Sequence, residues 1–216
     1  MGGVVVLGLV GLFVALAGCQ PGADATPTAS APSVGGSAGP GSRATTPADR
    51  LEAAVDRLSA GYAFDTTISV GDTVATHAQG RSSAGASDFR VESNGASITY
   101  RTVPPTSWVK QAGKAWVVVD NGVPDGDPLA ALRAPTSLKV VAEDADGVRL
   151  KATYPASALG LAGADPVAVE LSLALDGTVT ATYTVKAGAG PATSRTILRP
   201  QPDQDPIVAP SPIATV

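Results

Sequence analysis

The sequence is poor in the residues on which most enzymes and metal sites depend. Its 216 residues include one cysteine, one histidine and one methionine. A single cysteine excludes an intramolecular disulfide, and His77 has no second histidine or cysteine with which to form an ordinary zinc site. No carboxylate beside His77 in the sequence is an evident partner, so we expect this histidine to be satisfied within the fold or to face solvent. The sequence thus predicts a protein that is not an enzyme and that uses no cofactor and no metal.

Aromatic residues and basic clusters are also scarce. Aromatic residues form 4% of the chain and hydrophobic residues 44%, so the core must consist mainly of Val, Ala and Leu. Such side chains fill space less completely and could border a site for a flexible apolar ligand, although an Ala- and Gly-rich composition alone would explain them equally well. The 15 Lys and Arg residues form no cluster and the net charge is −4, which argues against nucleic acid as a partner.

The N-terminus carries an uncharged apolar run. Residues 4–16 have the length of the hydrophobic region of a signal peptide, and a membrane-spanning helix needs about 20 apolar residues. The run ends in Leu16-Ala17-Gly18-Cys19, which matches the lipobox of bacterial lipoproteins, although the Lys or Arg that usually precedes such a run is missing. We predict a signal peptide at 1–18, cleavage before Cys19, and diacylglycerol and palmitate on that cysteine. The alternative is an uncleaved anchor in which Cys19 is an ordinary residue.

A tether is predicted between this cysteine and a single folded domain. Residues 20–46 consist mostly of Pro, Gly, Ala, Ser and Thr, which disfavours regular structure. Two or three acyl chains on Cys19, at about 0.8 kcal/mol per buried CH₂, would give durable attachment. We therefore expect residues 19–46 to hold a monomeric domain, residues 47–210, at the extracytoplasmic face of the cell membrane. Residues 211–216 are expected to form a flexible tail.

A helix is predicted at the start of the domain. Thr46 can cap it, Pro47 suits its first position, Asp49 complements the helix dipole and Gly61 offers an end. Apolar residues recur at helical spacing between these signals, which predicts an amphipathic helix that covers one face of a sheet. They are Leu51, Ala54, Val55 and Leu58.

Alternating apolar and polar residues then predict a series of short strands joined by tight turns. In the first strand, Tyr62, Phe64, Thr66, Ile68 and Val70 share one face. Further strands are predicted at 73–79, 88–93, 96–102, 108–111, 114–120, 138–143, 148–154, 167–175, 178–186 and 194–199, with short helices at 129–133 and 155–161 and an edge strand at 207–209.

Hairpin connections make neighbouring strands antiparallel, and βαβ spacing is absent from the sequence. The predicted fold class is therefore α+β, a curved antiparallel β-sheet with a few helices on one side.

The order of these elements resembles that of the LppX/LprG-type lipoproteins of actinobacteria, which are similar in fold to the LolA and LolB lipoprotein carriers. The resemblance covers about 48–210 and rests on the lipobox, the tether, the capped helix, the Trp-containing hairpin before Asp127-Pro128-Leu129, and the closing Asp205-Pro206-Ile207-Val208-Ala209-Pro210. It implies a half-barrel with helices covering its concave face, where an apolar cavity holds a lipid or other hydrophobic ligand for carriage or presentation in the cell envelope. The alternative is an envelope lipoprotein that binds another protein and has no cavity.

The residues expected to border such a cavity are also natural core residues, so plain packing is the competing interpretation for each. The two tryptophans would face each other only if the loop between them has odd length, and they could instead touch a bilayer or a headgroup. The candidates are Leu51, Val55, Leu58, Phe64, Ile68, Tyr100, Trp108, Trp116, Leu129 and Leu132.

Acidic clusters are explained by turns. Asp120, Asp125 and Asp127 crowd together, but their spacing departs from the EF-hand pattern and no bidentate Glu follows, so a loop with a helix cap at Asp127 is the simpler interpretation. Asp144 and Asp146 suit a hairpin turn. A hydrolase would require a serine, His77 and a carboxylate to meet in the folded chain.

Overall fold

The computed structural model describes four ranges of the chain: residues 46–119, 128–163, 165–188 and 190–211. The predicted signal peptide, Cys19 and the tether before Thr46 lie outside these ranges, as do the acidic loop at 120–127 and its predicted cap Asp127. In the ranges described, no helix combines the length and the apolarity needed to cross a membrane. The lipidation of Cys19 therefore stays a prediction.

Two α-helices and one 3₁₀ turn occur in these ranges: α1 (Pro47–Ser59), α2 (Pro128–Leu132) and the turn Ala156–Leu159. The strands are β1 (Tyr62–Val70), β2 (Thr73–Ser83), β3 (Ala86–Ser93), β4 (Ala96–Val103), β5 (Thr106–Gln111), β6 (Val117–Val118), β7 (Ser137–Asp144), β8 (Gly147–Tyr154), β9 (Val167–Ala174), β10 (Val179–Ala187) and β11 (Gly190–Pro200).

All eleven strands form one antiparallel sheet in the order β6-β5-β4-β3-β2-β1-β11-β10-β9-β8-β7. Successive hairpins build two halves, β1 to β6 and β7 to β11. The halves join where β1 pairs with β11, for example Phe64 opposite Leu198. β6 and β7 are the two edges, so the sheet is not closed into a barrel. The predicted large antiparallel sheet is confirmed, and its shape is consistent with curvature.

α1 begins where the sequence predicts. The amide of Asp49 donates to the Thr46 hydroxyl (3.1 Å), and the amide of Thr46 donates to the Asp49 carboxylate (2.9 Å), which together form a capping box. These hydrogen bonds from Thr46 lower the pKa of Asp49, so the capping carboxylate stays ionised at neutral pH. The helix ends at Ser59, and Gly61 follows with φ 150°.

Helices are fewer than the sequence predicts. The helix expected at 155–161 is only the 3₁₀ turn, whereas the short helix expected at 129–133 is present as α2. Pro155 can open a turn, but Gly160 follows in the left-handed conformation and ends it after four residues. α1 is therefore the principal helix of the described chain.

We call the face of the sheet against which α1 packs the inner face, and the opposite face the outer face. Side chains alternate between the two along each strand. The apolar stripe of α1 meets the inner side chains of β8 to β11 and of β1 in one cluster. Its most deeply buried members include Val55, Leu58, Leu150, Tyr154, Leu171, Val179 and Leu198.

Charged residues are sorted between the two faces. By the strand register, every Asp, Glu, Lys and Arg in the described strands occupies an outer position except Glu143. Glu143 follows a bulge in β7 that shifts the alternation, and it pairs with Arg50 of α1 at 2.7 Å. The inner face is thus uncharged from β1 to β6 and from β8 to β11.

The predicted edge strand at 207–209 is wrong. Residues 201–211 form no strand and instead leave β11 to cross the outer face. Pro206 and Pro210 flank the predicted strand and lack an amide donor, so this stretch cannot complete a ladder of hydrogen bonds.

Candidate functional site

Aromatic rings cross the inner face from the covered core toward β4. The ring centroids of Phe64 and Phe89 are 6.0 Å apart, and those of Phe89 and Tyr100 are 5.1 Å apart with an interplanar angle of 21°. Tyr62 adjoins Phe64 at 6.5 Å. Phe64 and Phe89 are buried, whereas Tyr100 is half-buried. We call Phe64, Phe89 and Tyr100 the aromatic row.

Gly80 makes this row possible. In the register it lies between Phe64 of β1 and Phe89 of β3, on the strand that separates them. A Cβ at Gly80 would stand 2.3 Å from the Cβ of Phe89 and 2.4 Å from the carbonyl oxygen of Asp88. Because no side chain projects there, the two phenylalanine rings meet across β2.

Near the outer end of the row, the large apolar side chains at inner positions of β3 to β5 are only half-buried. Tyr100 lies opposite Phe89 and Val109, and Ile98 lies opposite Val91. All of these positions except Phe89 are half-buried. Val91, Ile98, Tyr100 and Val109 therefore form an apolar patch that solvent reaches in part, and we call it the inner patch.

Hydroxyl groups at inner positions form hydrogen bonds with one another. Each of three pairs links neighbouring strands: Thr66 with Thr196 (2.9 Å), Thr76 with Ser93 (3.2 Å) and Thr102 with Ser107 (3.0 Å). Because these polar groups have partners, they can lie in an apolar setting without a bound ligand.

Burial also keeps the inner tyrosines neutral. It raises the pKa of the phenols of Tyr100, Tyr154 and Tyr183, and a hydrogen bond with Ser194 offsets part of the effect at Tyr183. The inner face therefore gains no negative charge from tyrosine at neutral pH.

The helical candidates lie in a closed core. Leu51, Val55 and Leu58 of α1 are at most 3% exposed, and Leu129 and Leu132 of α2 join the same cluster. The hydroxyl of Tyr154 donates to the carbonyl of Leu132 (2.9 Å), which attaches α2 to β8. In this structure the protein's own side chains bury these five residues, which fits the plain-packing interpretation.

Phe64 and Ile68 both occupy inner positions of β1 and are buried, as the alternation predicts. Phe64 belongs to the core cluster and to the aromatic row, whereas the cluster of described residues does not include Ile68. Phe64 and Tyr100 are therefore the sequence candidates that belong to the aromatic row, and Phe89 is the residue between them that was not predicted.

Trp108 and Trp116 lie on the outer face, so they do not border the inner face as expected. Trp108 is opposite Arg101 and Val118, and this register makes the hairpin loop odd in length. Both tryptophans consequently share one face, and both are buried. The guanidinium of Arg101 lies 5.3 Å from the Trp116 ring centroid and the ammonium of Lys110 lies 5.7 Å from it.

His77 has a carboxylate partner that the linear sequence hides. Its Nε2 lies 3.1 Å from Oδ2 of Asp65. A bulge in the β1–β2 hairpin shifts the register by one residue and turns His77 to the outer face opposite Thr67, whereas a regular hairpin would point it inward. In the described ranges, Asp65 is the side chain that hydrogen-bonds the imidazole of His77.

A pocket of about 350 Å³ lies around the β3–β4 turn and includes His77. Its charged side chains are already paired, since Arg90 contacts Glu92 at 2.6 Å and donates to the Ser97 hydroxyl at 2.7 Å. It is an open groove whose lining mixes polar and apolar residues, and it is separate from the aromatic row. Among the described residues, no three His, Cys, Asp or Glu side chains cluster as metal ligands would.

No protein-family model matches the sequence, and no curated protein matches it. Function is therefore inferred from the geometry of the faces and from the sequence motifs.

Proposed function

We propose that the protein is an extracytoplasmic lipoprotein, anchored through Cys19, that holds a hydrophobic ligand such as an acyl chain on its inner face. One observation carries the proposal: the uncharged inner face extends beyond α1 and ends in the half-buried inner patch. Apolar side chains that remain partly exposed on a face without charge are suited to hydrocarbon and unsuited to an ionic ligand.

The sheet supports this proposal if it forms a half-barrel. α1 contacts β11, in the middle of the sheet, and also β7 at its edge. In a flat sheet these strands would lie about 19 Å apart, and α1, with 13 residues, is about 20 Å long, so it can reach both by lying across the sheet. A helix laid across the concave side of a half-barrel is the arrangement that the resemblance to LppX/LprG-type lipoproteins implies, and these contacts fit it.

α1 would then fill only one side of the concave surface. The core cluster lies mainly under the half formed by β8 to β11, with β1 beside it. On the other half, the aromatic row leads from Phe64 outward to Tyr100, and exposure increases along it. An acyl chain laid against these rings would bury the inner patch and remain in contact with the core at its inner end.

The motif at Cys19 supports a location at the outer face of a membrane. The lipobox Leu16-Ala17-Gly18-Cys19 and the Pro-, Gly- and Ser-rich stretch after it support an envelope protein attached by lipid. For 27 residues a flexible tether would span about 30 Å, which keeps the domain close to a membrane that can supply or accept lipid.

A charge placed in the inner patch should test ligand binding. Ile98→Asp would set a carboxylate against the hydrocarbon, and we expect it to weaken binding of a fluorescent fatty acid at least about 10-fold, because an unpaired charge resists removal from water. The measurement is a fluorescence titration of a soluble form that begins at Arg43 and so keeps the Thr46 cap.

Thr99→Asp is the matched control. Thr99 is the next residue of β4, is also half-buried, and occupies an outer position. Its substitution should leave the affinity within about two-fold, since no hydrocarbon contacts that face. Equal losses in both variants, or no saturable binding by the unaltered protein, would refute the inner patch as a ligand surface.

A second candidate function is favoured by the closed packing under α1. Val55 and Leu58 are completely buried, which leaves this part of the inner face filled by the protein's own side chains. A solid fold of this kind would act in the envelope by binding another protein. The fatty-acid titration separates the two candidates.

A further inference from the structure

A row of polar and aromatic side chains crosses the outer face at right angles to the strands. The register makes direct neighbours of Arg81 on β2, Asp88 on β3, Arg101 on β4, Trp108 on β5 and Val118 on β6. We call these five residues the outer row. Arg101 forms a half-buried ion pair with Asp88, which fixes its guanidinium in the middle of the row.

The C-terminal segment, residues 201–211, lies along this row. Nη1 of Arg81 donates to the carbonyl of Asp205 (2.9 Å), and Nη1 of Arg101 donates to the carbonyl of Val208 (3.3 Å). At its start, the side chain of Gln204 donates to the carbonyl of Ser82 (2.7 Å). The segment is thus held mainly through its backbone carbonyls.

Burial in the segment repeats every third residue. Gln204 is half-buried, Ile207 and Pro210 are buried, and the pairs of residues between them are exposed. The two carbonyls bound by arginine, those of Asp205 and Val208, are also three residues apart. A β-strand would repeat every second residue, whereas a polyproline II helix has three residues per turn.

The dimensions of this helix fit the spacing of the strands. Three residues of polyproline II rise about 9.3 Å. Arg81 and Arg101 stand two strands apart, a distance of about 9.6 Å in a sheet. Each turn of the segment therefore advances by two strands, so that equivalent carbonyls meet successive arginines.

Gly61 shows that the chain accommodates the segment closely. The amide of Gln201 donates to the carbonyl of Gly61 (2.7 Å). A Cβ at Gly61 would stand 2.7 Å from the carbonyl oxygen of Gln201 and 2.8 Å from Nε2 of Gln204. Gly61, between α1 and β1, therefore leaves room for the start of the C-terminal segment.

The fit of the segment is incomplete. Trp108 is only 6% exposed, and within the ranges that the structure describes its indole N–H has no hydrogen-bond partner; the same holds for Oε1 of Gln204. Buried polar groups normally have partners. A segment that supplied an acceptor to Trp108 would satisfy the outer row better than the chain's own segment does.

We propose that the outer row is a binding site for a polyproline II segment of another protein, and that residues 204–210 occupy it in cis. The two arginines recognise backbone carbonyls, which any sequence provides. Specificity comes from the two buried positions, those of Ile207 and Pro210, which select an apolar residue followed by proline three residues later. In this chain Asp205 lies two residues before Ile207. An acidic residue at that position suits the positive charge of Arg81 at one end of the outer row. The site lies on the opposite face from the inner patch and does not depend on lipid binding.

Four single substitutions in the segment test the three-residue repeat. Ile207→Asp and Pro210→Asp place a charge at covered positions and should release the segment, whereas Val208→Asp and Ala209→Asp alter exposed positions and should leave it docked. Ile207 is 7% exposed and Val208 is 63% exposed.

The chain has two tryptophans, Trp108 and Trp116, and both lie on the outer face. Their emission should shift to the red in the first two variants only.

Binding in trans tests the proposal itself. A labelled peptide with the sequence of residues 201–216 should bind the full-length Ile207→Asp and Pro210→Asp variants at least about 10-fold more tightly than it binds the Val208→Asp variant or the unaltered chain, because the cis segment no longer competes. The same peptide with aspartate in place of Ile207 should not bind.

Three results would overturn the proposal. One is an unshifted emission in both Ile207→Asp and Pro210→Asp, with circular dichroism showing folded protein. Another is a red shift without peptide binding, which would reduce the segment to a structural cover. The last is dimerisation of the unaltered chain that Ile207→Asp abolishes, because the trans occupant would then be a second copy of this protein.

Discussion

Leu58→Ala is expected to lower the free energy of unfolding by about 2–5 kcal/mol, the range for deleting a fully buried leucine side chain. Leu58 is 0% exposed and sits in the stripe of α1 that packs against the inner face. The loss has two sources, the transfer of fewer apolar groups from water and the cavity left among neighbours such as Leu198. Urea unfolding of the soluble form, followed by circular dichroism, measures it.

Leu175→Ala is the matched control, because Leu175 is 73% exposed at the end of the β9–β10 hairpin. It should change stability by less than about 0.5 kcal/mol. A small loss at Leu58 combined with tighter binding of a fatty acid would contradict the closed core and would make α1 part of a ligand cavity.

Gly80→Ala is expected to destabilise the protein by about 1–3 kcal/mol, the usual cost of forcing atoms into a packed region. The new Cβ would meet the Cβ of Phe89 and the backbone oxygen of Asp88, at 2.3 and 2.4 Å, so β2 and β3 would have to separate. Since a backbone atom is among those contacted, a change of rotamer cannot relieve the clash.

Gly188→Ala serves as the control, because a Cβ at Gly188 would meet no atom within 4 Å. Thermal unfolding of the two variants should therefore differ clearly, with the lower midpoint for Gly80→Ala. Equal midpoints would contradict the close approach of Phe64 and Phe89 across β2.

Local signals predicted much of the fold. The capping residues around Thr46 gave the start of α1, and the alternation in residues 62–70 gave β1 and its buried face. The hairpins lie at turn dipeptides in the sequence, such as Asn94-Gly95 and Asp176-Gly177, whose residues adopt turn conformations at low cost. These features depend on neighbours in sequence.

Features that depend on distant residues were not predictable in the same way. The pairing of β1 with β11 joins residues 130 positions apart, such as Thr66 and Thr196, and no local pattern specifies it. The bulge that turns His77 outward carries no Gly or Pro as a signal, so the sequence does not indicate which face His77 occupies. The path of residues 201–211 likewise depends on the outer row.

The candidate site was predicted in part. Phe64 and Tyr100 were chosen from alternation and lie at opposite ends of the aromatic row. Phe89 alternates with Val91 in a predicted strand, so the same rule could have found it. The role of Gly80 was hidden, because it arises from strands on both sides. Whether Trp108 and Trp116 share a face depends on whether the loop between them has an odd or an even number of residues. The sequence alone does not determine that number.

Native mass spectrometry of the soluble form, exported behind a cleavable signal peptide and isolated from the cell envelope without detergent, tests most directly whether the inner face carries hydrocarbon. The account predicts a population with added mass from one acyl-containing molecule, lost on collisional activation, depleted in Ile98→Asp and retained in Thr99→Asp. A bare polypeptide mass in every preparation, together with no uptake of added fatty acid, would contradict it.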